Sequence, residues 1–154
     1  MQLSEKIKFQ VQQLEGPILI IGAGGFIGAN LFRSVFAQRK DVYATTSKPF
    51  IPWRLDDIPA KHILHCNIIK KQEVEQLFSQ FQFKTIFDLA AYGAYSKQSD
   101  VELINETNYT GLLQLLETAS RYSVKAFIHA GSSSQYSCVQ TLQRQWLSSV
   151  VQNC

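Results

Sequence analysis

The sequence lacks the features that would place it outside ordinary globular proteins. Its 154 residues include only three cysteines, four prolines and one methionine, and no apolar run approaches the roughly 18 residues that span a bilayer. The cysteines are odd in number and form no Cys-x-x-Cys, which argues against a disulfide framework and favours a reducing compartment. His62 and His65 have no further Cys or His pair at ligand spacing, so we expect no metal site.

An excess of charge of one sign is also missing. Lys and Arg total 15 against 12 Asp and Glu, and the surplus of +3 is spread along the chain, so we expect neither a nucleic-acid nor a membrane partner. The first residues, MQLSEKIKF, contain no apolar segment of the signal-peptide kind, and we expect a cytoplasmic protein. Hydrophobic residues make up 45% of the chain, which excludes intrinsic disorder. A chain of this length can also build a hydrophobic core without disulfides or metal ions to stabilise it.

Hydrophobic patterning predicts alternating strands and helices. Short apolar runs predict strands at 18–21, 42–46, 63–66, 85–91 and 124–129, and 47–60 reads as a loop. Helices are predicted at 3–14 with Ser4 as N-cap, at 26–38, at 70–81 and at 100–121 with Asp100 as cap. The core candidates of the last helix are Leu112, Leu113, Leu115, Leu116 and Ala119. This order predicts an α/β fold with a doubly wound, mostly parallel sheet that is incomplete at the C-terminus.

A glycine-rich turn links the first strand to the next helix, with the sequence Gly22-Ala23-Gly24-Gly25-Phe26-Ile27-Gly28. Its glycines fit G-x-x-G-x-x-G: one for the tight turn, one for close approach to a pyrophosphate, and one for helix packing. The helix N-terminus adds free N–H groups and a positive dipole end. We therefore expect Gly22, Gly25, Phe26, Ile27 and Gly28 to bind a dinucleotide, a purely structural glycine turn being the alternative.

The end of the second strand bears on which dinucleotide is bound. The acidic residue that usually binds the ribose 2′-OH of NAD, about 20 positions after the glycines, is missing. Ser47 and Lys48 stand there instead, and a hydroxyl with a cation could accept a 2′-phosphate. The expected cofactor is NAD or NADP, with NADP favoured, unless Lys48 is simply a solvated loop lysine.

Three further segments resemble one family. They are Phe87-Asp88-Leu89-Ala90-Ala91, Asn108-Tyr109-Thr110-Gly111-Leu112-Leu113 and Gly131-Ser132-Ser133-Ser134-Gln135-Tyr136. They resemble, in order, the D-x-x-H-L-A-A strand end, the N-x-x-G-T-x-N-L-L helix and the S-S-x-x-x-Y-G strand end of extended short-chain dehydrogenases, the NAD-dependent epimerase/dehydratase family. The match covers about residues 17–137, and 90–96 with 131–136 is close to members that act on nucleotide sugars.

The resemblance implies roles for residues beyond the glycine loop. The matched positions are Asn67 and Ile68 beside the adenine, Leu89, Ala90 and Ala91 under the ribose and phosphates, Asn108 near the active site, and Ser132 as the catalytic Ser/Thr. Structural alternatives stay open for each of them: a helix cap for Asn67, backbone bonding for Asn108, a polar turn for Ser132, and partial core for 89–91. Asp88 takes the place of the family's frequent His.

The resemblance stops where the family's acid–base pair should follow. No Tyr-x-x-x-Lys occurs, and no lysine lies beyond Lys125. Val139, Leu142, Trp146 and Val150 predict an amphipathic helix in the tail. We divide the chain into an N-terminal helix at 1–16, an NAD(P)-binding Rossmann-like domain at 17–137 and a divergent tail at 138–154, with the substrate domain absent. A truncated or frameshifted chain and a genuine short protein both remain open.

These observations predict an NAD(P)-binding domain that resembles nucleotide-sugar epimerases, dehydratases and reductases. The chain is expected to be catalytically incomplete, because Ser132 lacks its tyrosine and lysine partners. The alternative is a stand-alone module that binds a dinucleotide or a partner without catalysis. A nucleotide sugar is expected as a substrate only of a longer form, and the helix at 100–121 is a candidate homodimer contact.

Overall fold

Five parallel strands form the centre of the protein in a computed structural model that describes residues 3–93 and 97–131. The strands are β1 (Ile18–Ile21), β2 (Val42–Thr46), β3 (Ile63–His65), β4 (Thr85–Asp88) and β5 (Ala126–His129). Their order is β3-β2-β1-β4-β5, and every neighbouring pair is parallel. The predicted α/β sheet is confirmed. Strand order reverses at β1, and in such sheets ligands bind at this point, outside the carboxyl ends of the strands.

Helices connect the strands and flank the sheet. They are α1 (Glu5–Gln13), α2 (Phe26–Phe36), α3 (Lys71–Gln80), α4 (Val101–Asn105) and α5 (Leu112–Arg121). A π-helical turn, Glu106–Gly111, joins α4 to α5. The predicted caps are confirmed: Ser4 accepts the Ile7 N–H at 3.4 Å, and Asp100 accepts the Leu103 N–H at 3.0 Å.

Two apolar layers cover the two faces of the sheet. Successive residues of a strand point to opposite faces. Ile18 and Ile20 therefore join the layer that contains α2, whereas Leu19 and Ile21 join the layer that contains α3 and α5. All four residues of β1 are buried, as an uninterrupted apolar strand predicts. This burial fixes the start of the glycine turn that follows β1.

Several boundaries differ from the prediction. β4 ends at Asp88 rather than 91, because β1 leaves the sheet at Gly22 and the Ala90 N–H bonds to the Asp88 side chain instead of a strand. β3 and β5 are shorter than predicted, over 63–65 and 126–129, and α2 ends at 36 rather than 38.

The connection between β2 and β3, predicted as a plain loop, contains structure of its own. Two short 3₁₀ turns, Trp53–Leu55 and Ala60–His62, interrupt it. Leu55 is fully buried and Ile58 is nearly so, and both pack in the α2 layer. This connection is therefore fixed to the body of the protein.

The long helix predicted at 100–121 is broken by the π turn, and two of its core candidates are wrong. Leu113 and Leu116 are each 41% exposed, while Leu115 and Ala119 are buried and Leu112 is half-buried. The buried stripe follows positions 111, 115, 118 and 119, the spacing of one helical face, and 113 and 116 fall outside it.

Within the two described segments, no helix is long and apolar enough to cross a membrane. The same segments hold no group of three His, Cys, Asp or Glu side chains that could bind a metal ion. Cys66 is a free, buried thiol, and burial raises its pKa to about 12, so it is not a reactive thiolate. Cys138 and Cys154 lie outside the described residues.

Candidate functional site

Two glycines of the loop are required by the packing of the chain itself. Gly22 has a φ of 75°, and a β-carbon there would lie 2.6 Å from the carbonyl carbon of Leu89 and 2.7 Å from the Ala90 nitrogen. A β-carbon on Gly28 would meet the Gly22 oxygen and lie 2.7 Å from the Ala23 Cα. A side chain at either position would therefore displace backbone.

Gly25 is different, because little in the chain requires a glycine there. It is exposed, it is the N-cap of α2, and its φ of −76° and ψ of 169° suit any residue. A β-carbon would meet only the Gly22 oxygen at 3.3 Å, which a shift of a few tenths of an ångström relieves. No side chain caps α2. The missing side chain leaves the first N–H groups of the helix open to an anion.

Apolar side chains and an anchored loop surround this helix end. Phe26 and Ile27 are 71% and 67% exposed. Pro52 of the β2–β3 connection lies over the loop, since a β-carbon on Gly24 would be 3.0 Å from its Cγ. Arg33 of α2 fixes this connection by donating to the Asp57 Oδ2 at 2.9 Å, and this hydrogen bond lowers the pKa of Asp57. The Pro52 contact was not predictable from local sequence, because it depends on how the connection folds back.

Ser47 and Lys48 lie where the prediction places them, exposed at the carboxyl end of β2 and next to β1. The turn is fixed by two contacts: the Lys48 N–H donates to the Thr46 Oγ1 at 3.2 Å, and the Lys48 carbonyl oxygen lies 3.1 Å from the His65 Nδ1. The Lys48 Nζ lies 5.5 Å from the centre of the Phe50 ring. A cation and a hydroxyl thus stand at the carboxyl end of the strand that neighbours β1.

Asn67 and Ile68 follow β3 at the same edge of the sheet. The Asn67 Oδ1 accepts the Ile69 N–H at 3.3 Å, and its own N–H donates to the Glu73 Oε2 at 2.7 Å, which lowers the pKa of Glu73. Asn67 therefore closes a turn and does not cap α3, whose N-cap is Lys70. The Ile68 side chain is only 6% exposed, so it belongs mainly to the core.

The segment after β4 lies directly against the glycine loop. The Leu89 N–H donates to the Ile21 oxygen at 3.0 Å, and the Ala90 N–H donates to the Asp88 Oδ1 at 3.2 Å. Leu89 and Ala90 are half-buried and Ala91 is exposed, which agrees with the expected partial core. This segment therefore forms the wall of the loop on the β4 side.

Asp88 is 1% exposed, and its Oδ2 lies 2.9 Å from the His129 Nδ1 on β5. Burial raises the pKa of Asp88, and the hydrogen bond with His129 acts in the opposite direction. The motif comparison noted that Asp88 stands where the family often has His, but it assigned no role to Asp88 or to His129. Only the strand register brings these two residues together.

Asn108 ties the π turn to the loop after β4. Its Oδ1 accepts the Tyr92 N–H at 2.9 Å, and its Nδ2 donates to the Tyr92 oxygen at 2.7 Å. The side chain thus bonds the backbone of a different segment rather than that of its own helix. π turns are frequent at functional sites, and this one brings Asn108 to the carboxyl edge of the sheet.

The remaining predicted site residue, Ser132, lies outside the described residues, as do Tyr136 and the predicted tail helix in 138–154. The described residues that the structure brings to one edge of the sheet are the glycine loop and the segments that follow β2, β3 and β4.

A parallel sheet with a glycine turn from its central strand into a helix, at the strand-order switch, defines a dinucleotide-binding protein of the Rossmann type. The model of the NAD dependent epimerase/dehydratase family matches residues 18–150, and the chain belongs to this family. The resemblance drawn from the sequence motifs is thereby confirmed.

Curated relatives and solved structures agree with this assignment. The chain is 27% identical over 112 residues to the dTDP-glucose 4,6-dehydratase of Salmonella typhimurium, with 68% of this chain and 31% of the dehydratase covered. It matches the UDP-glucose 4-epimerase of Thermotoga maritima, solved with UDP-glucose, with a TM-score of 0.64 and 27% identity, and the match covers 75% of this chain and 37% of the epimerase. An epimerase of Methanothermobacter thermautotrophicus shares the fold, with a TM-score of 0.70 and 22% identity, and the match covers 84% of this chain and 39% of that epimerase. In these three comparisons the chain spans 31–39% of the relative's length.

Proposed function

We propose that this chain binds NAD(H) or NADP(H), with the pyrophosphate at Gly25 and the N-terminus of α2. The observation that carries the proposal is the exposed, unstrained Gly25, whose missing side chain is not explained by packing. Gly22 and Gly28 shape the loop, and Phe26 and Ile27 flank it. Leu89, Ala90 and Ala91 form the wall under the ribose and phosphates. A dinucleotide bound here supplies hydride transfer to or from a substrate carbon.

The adenosine half of the cofactor is assigned to the ends of β2 and β3. Asn67 is the polar group for the adenine, and Ile68 contributes through its backbone because its side chain is buried. Ser47 and Lys48 supply a hydroxyl and a cation to a 2′-phosphate, which supports NADP over NAD. The dinucleotide-binding domain is placed at 17–137, and a cytoplasmic location stays a prediction.

The substrate class is proposed from the relatives. One acts on dTDP-glucose, and another was solved with UDP-glucose, so a nucleotide sugar is the proposed substrate of a longer form of this protein. Ser132 is the proposed group for the reacting hydroxyl, and Asn108 supports the same edge through Tyr92. This chain alone is proposed to bind cofactor without turnover, because its sequence contains no Tyr-x-x-x-Lys pair.

A homodimer through the helix at 100–121 is also proposed. Val101, Tyr109, Leu113 and Leu116 are apolar or aromatic side chains between 41% and 68% exposed on this segment. Exposed apolar side chains gathered on one element are typical of protein contacts. Sedimentation of the purified chain and of a Tyr109→Glu variant tests this proposal, which a monomeric wild type would contradict.

Calorimetric titration of the purified chain with NADH and NADPH tests the proposed cofactor binding. Wild type is expected to bind at least one of them, and Gly25→Val is expected to abolish binding because its side chain fills the space of the pyrophosphate. Thermal unfolding of both proteins serves as the control for folding. Equal affinity of the folded variant and wild type would exclude the glycine loop as the site.

A further inference from the structure

Asp88 and His129 form a polar pair at the carboxyl edge of the sheet, where Asp88 is buried and the His129 side chain is 36% exposed. They are register partners on β4 and β5, and the preceding register pair on the same face, Ile86 and Phe127, is apolar. Asp88 is 1% exposed. A buried carboxylate generally contributes less to stability than a well-packed apolar residue. The burial of Asp88 therefore requires an explanation other than the stability of the core.

Both carboxylate oxygens of Asp88 are engaged, and they join two parts of the edge. Oδ2 lies 2.9 Å from the His129 Nδ1 on β5, and Oδ1 accepts the Ala90 N–H at 3.2 Å. The Asp88 carbonyl oxygen also accepts the Ala130 N–H at 3.0 Å. One residue thus fixes both the end of β5 and the first peptide after β4.

The peptide that Asp88 holds is the one that touches the glycine loop. A β-carbon on Gly22 would lie 2.6 Å from the Leu89 carbonyl group and 2.7 Å from the Ala90 nitrogen. Movement of the Leu89–Ala90 peptide would therefore change the turn at Gly22. The contacts therefore connect His129, through Asp88 and Ala90, to Gly22.

We propose that Asp88 and His129 are positioning residues for the dinucleotide site: they hold the Leu89–Ala90 peptide against Gly22, so that the glycine loop keeps the shape that accepts a pyrophosphate. This inference rests on the proposed dinucleotide binding. Neither residue needs to touch the ligand, because both act through the peptide between them and the loop.

Four variants separate positioning from simple stabilisation. Asp88→Asn keeps an acceptor for the Ala90 N–H and offers an amide donor to the other tautomer of His129, whereas Asp88→Val removes both bonds. His129→Gln keeps a donor and His129→Leu does not. Thr85→Val is the matched control. Thr85 is also buried on β4, but it lies at the amino end of the strand, and its hydroxyl donates to the Glu15 oxygen at 2.7 Å.

The measurements are the Kd for NADH and NADPH, hydrogen exchange of the Ala90 amide, and thermal unfolding. Asp88→Val is expected to raise Kd at least about tenfold, equivalent to about 1.4 kcal/mol, and to speed exchange at Ala90. Asp88→Asn should stay within about threefold of wild type. Thr85→Val should lower Tm without changing Kd. If Asp88→Val does not fold, the same contrast is expected between His129→Leu and His129→Gln.

The outcomes are distinguishable. A wild-type chain that binds neither dinucleotide overturns the proposed function and this inference with it. A wild type that binds, together with folded Asp88→Val and His129→Leu variants of unchanged Kd, overturns the positioning role alone. An equal loss of affinity in Thr85→Val also overturns it, since general stability would then explain the effect.

Discussion

Gly25→Ser is expected to move the stability of the fold and the affinity for a dinucleotide in opposite directions. Gly25 caps α2 with a φ of −76° and a ψ of 169°, a backbone that serine adopts without strain. The new β-carbon would have one close neighbour, the Gly22 oxygen at 3.3 Å. The substitution therefore fits the fold and adds a side chain that can cap the helix.

The size of each effect follows from this geometry. A serine cap is a few tenths of a kcal/mol better than glycine, and loss of glycine's freedom in the unfolded chain adds about 0.4–1 kcal/mol. Together these gains are about 0.6–1.3 kcal/mol. The Gly22 oxygen must shift by a few tenths of an ångström to admit the β-carbon, which reduces the gain, so we expect the free energy of unfolding to rise by about 0.5–1 kcal/mol. The hydroxyl would also occupy an N–H group that a phosphate needs. Losing one hydrogen bond to a charged group costs about 1.5–3 kcal/mol, on the order of 10–100-fold in Kd.

Urea unfolding measures the first quantity, and calorimetric titration with NADH and NADPH measures the second. Gly28→Ala is the comparison variant, because its β-carbon would meet the Gly22 oxygen and lie 2.7 Å from the Ala23 Cα. It should lower the free energy of unfolding, unlike Gly25→Ser. A folded Gly25→Ser protein that binds as tightly as wild type would refute the assignment of the pyrophosphate to this helix end.

Three further predictions concern cofactor choice, the π turn and turnover. Lys48→Glu should lower the affinity for NADPH relative to NADH by at least about tenfold, because it replaces attraction of a 2′-phosphate by repulsion. Lys61→Glu is the control: it makes the same charge change at the amino end of β3 and should leave the ratio of the two Kd values unaltered. Asn108→Leu should lower the free energy of unfolding by about 1 kcal/mol, because it removes both bonds of an exposed side chain to Tyr92. Asn108→Asp keeps an acceptor for the Tyr92 N–H but sets a carboxylate oxygen against the Tyr92 oxygen, so it should not restore the stability. Equal urea midpoints for all three proteins would contradict this. The purified chain, incubated with cofactor and UDP- or dTDP-sugars, should give no product by mass spectrometry, and turnover would show that a Tyr-x-x-x-Lys pair is dispensable.

The β1–α2 unit was predictable because its determinants are neighbours in sequence. An uninterrupted Ile-Leu-Ile-Ile run can be satisfied only by a strand buried on both faces, and β1 covers 18–21 as predicted. Gly22 then marks the turn, and the helix begins at Phe26. The ends of strands were less predictable, because they depend on where the neighbouring strand stops.

Contacts between distant segments could not be predicted from local pattern. Asp88 and His129 are 41 residues apart, and Asn108 and Tyr92 are 16 apart. The first pair depends on strand register and the second on a π turn, and neither can be predicted from the periodicity of apolar residues. Ile68 shows the same limit, since a β-carbon on Gly111 would lie 2.9 Å from its Cγ1, and this close packing is a property of the folded helix.

The π turn restricts the changes in chain length that this helix can accept over evolutionary time. A π turn holds one residue more than the α-turn it replaces, and each residue advances a helix by about 100°. Deleting one residue within 106–111 would restore an α-turn and leave the two halves of the helix in nearly the same relative orientation, so the stripe at 111, 115, 118 and 119 would stay on the sheet. The wider turn that brings the Asn108 side chain to the Tyr92 backbone would be lost. Substitutions leave the length of the turn unchanged, so we expect related sequences to keep the length of this segment more strictly than the identity of an exposed residue such as Thr110.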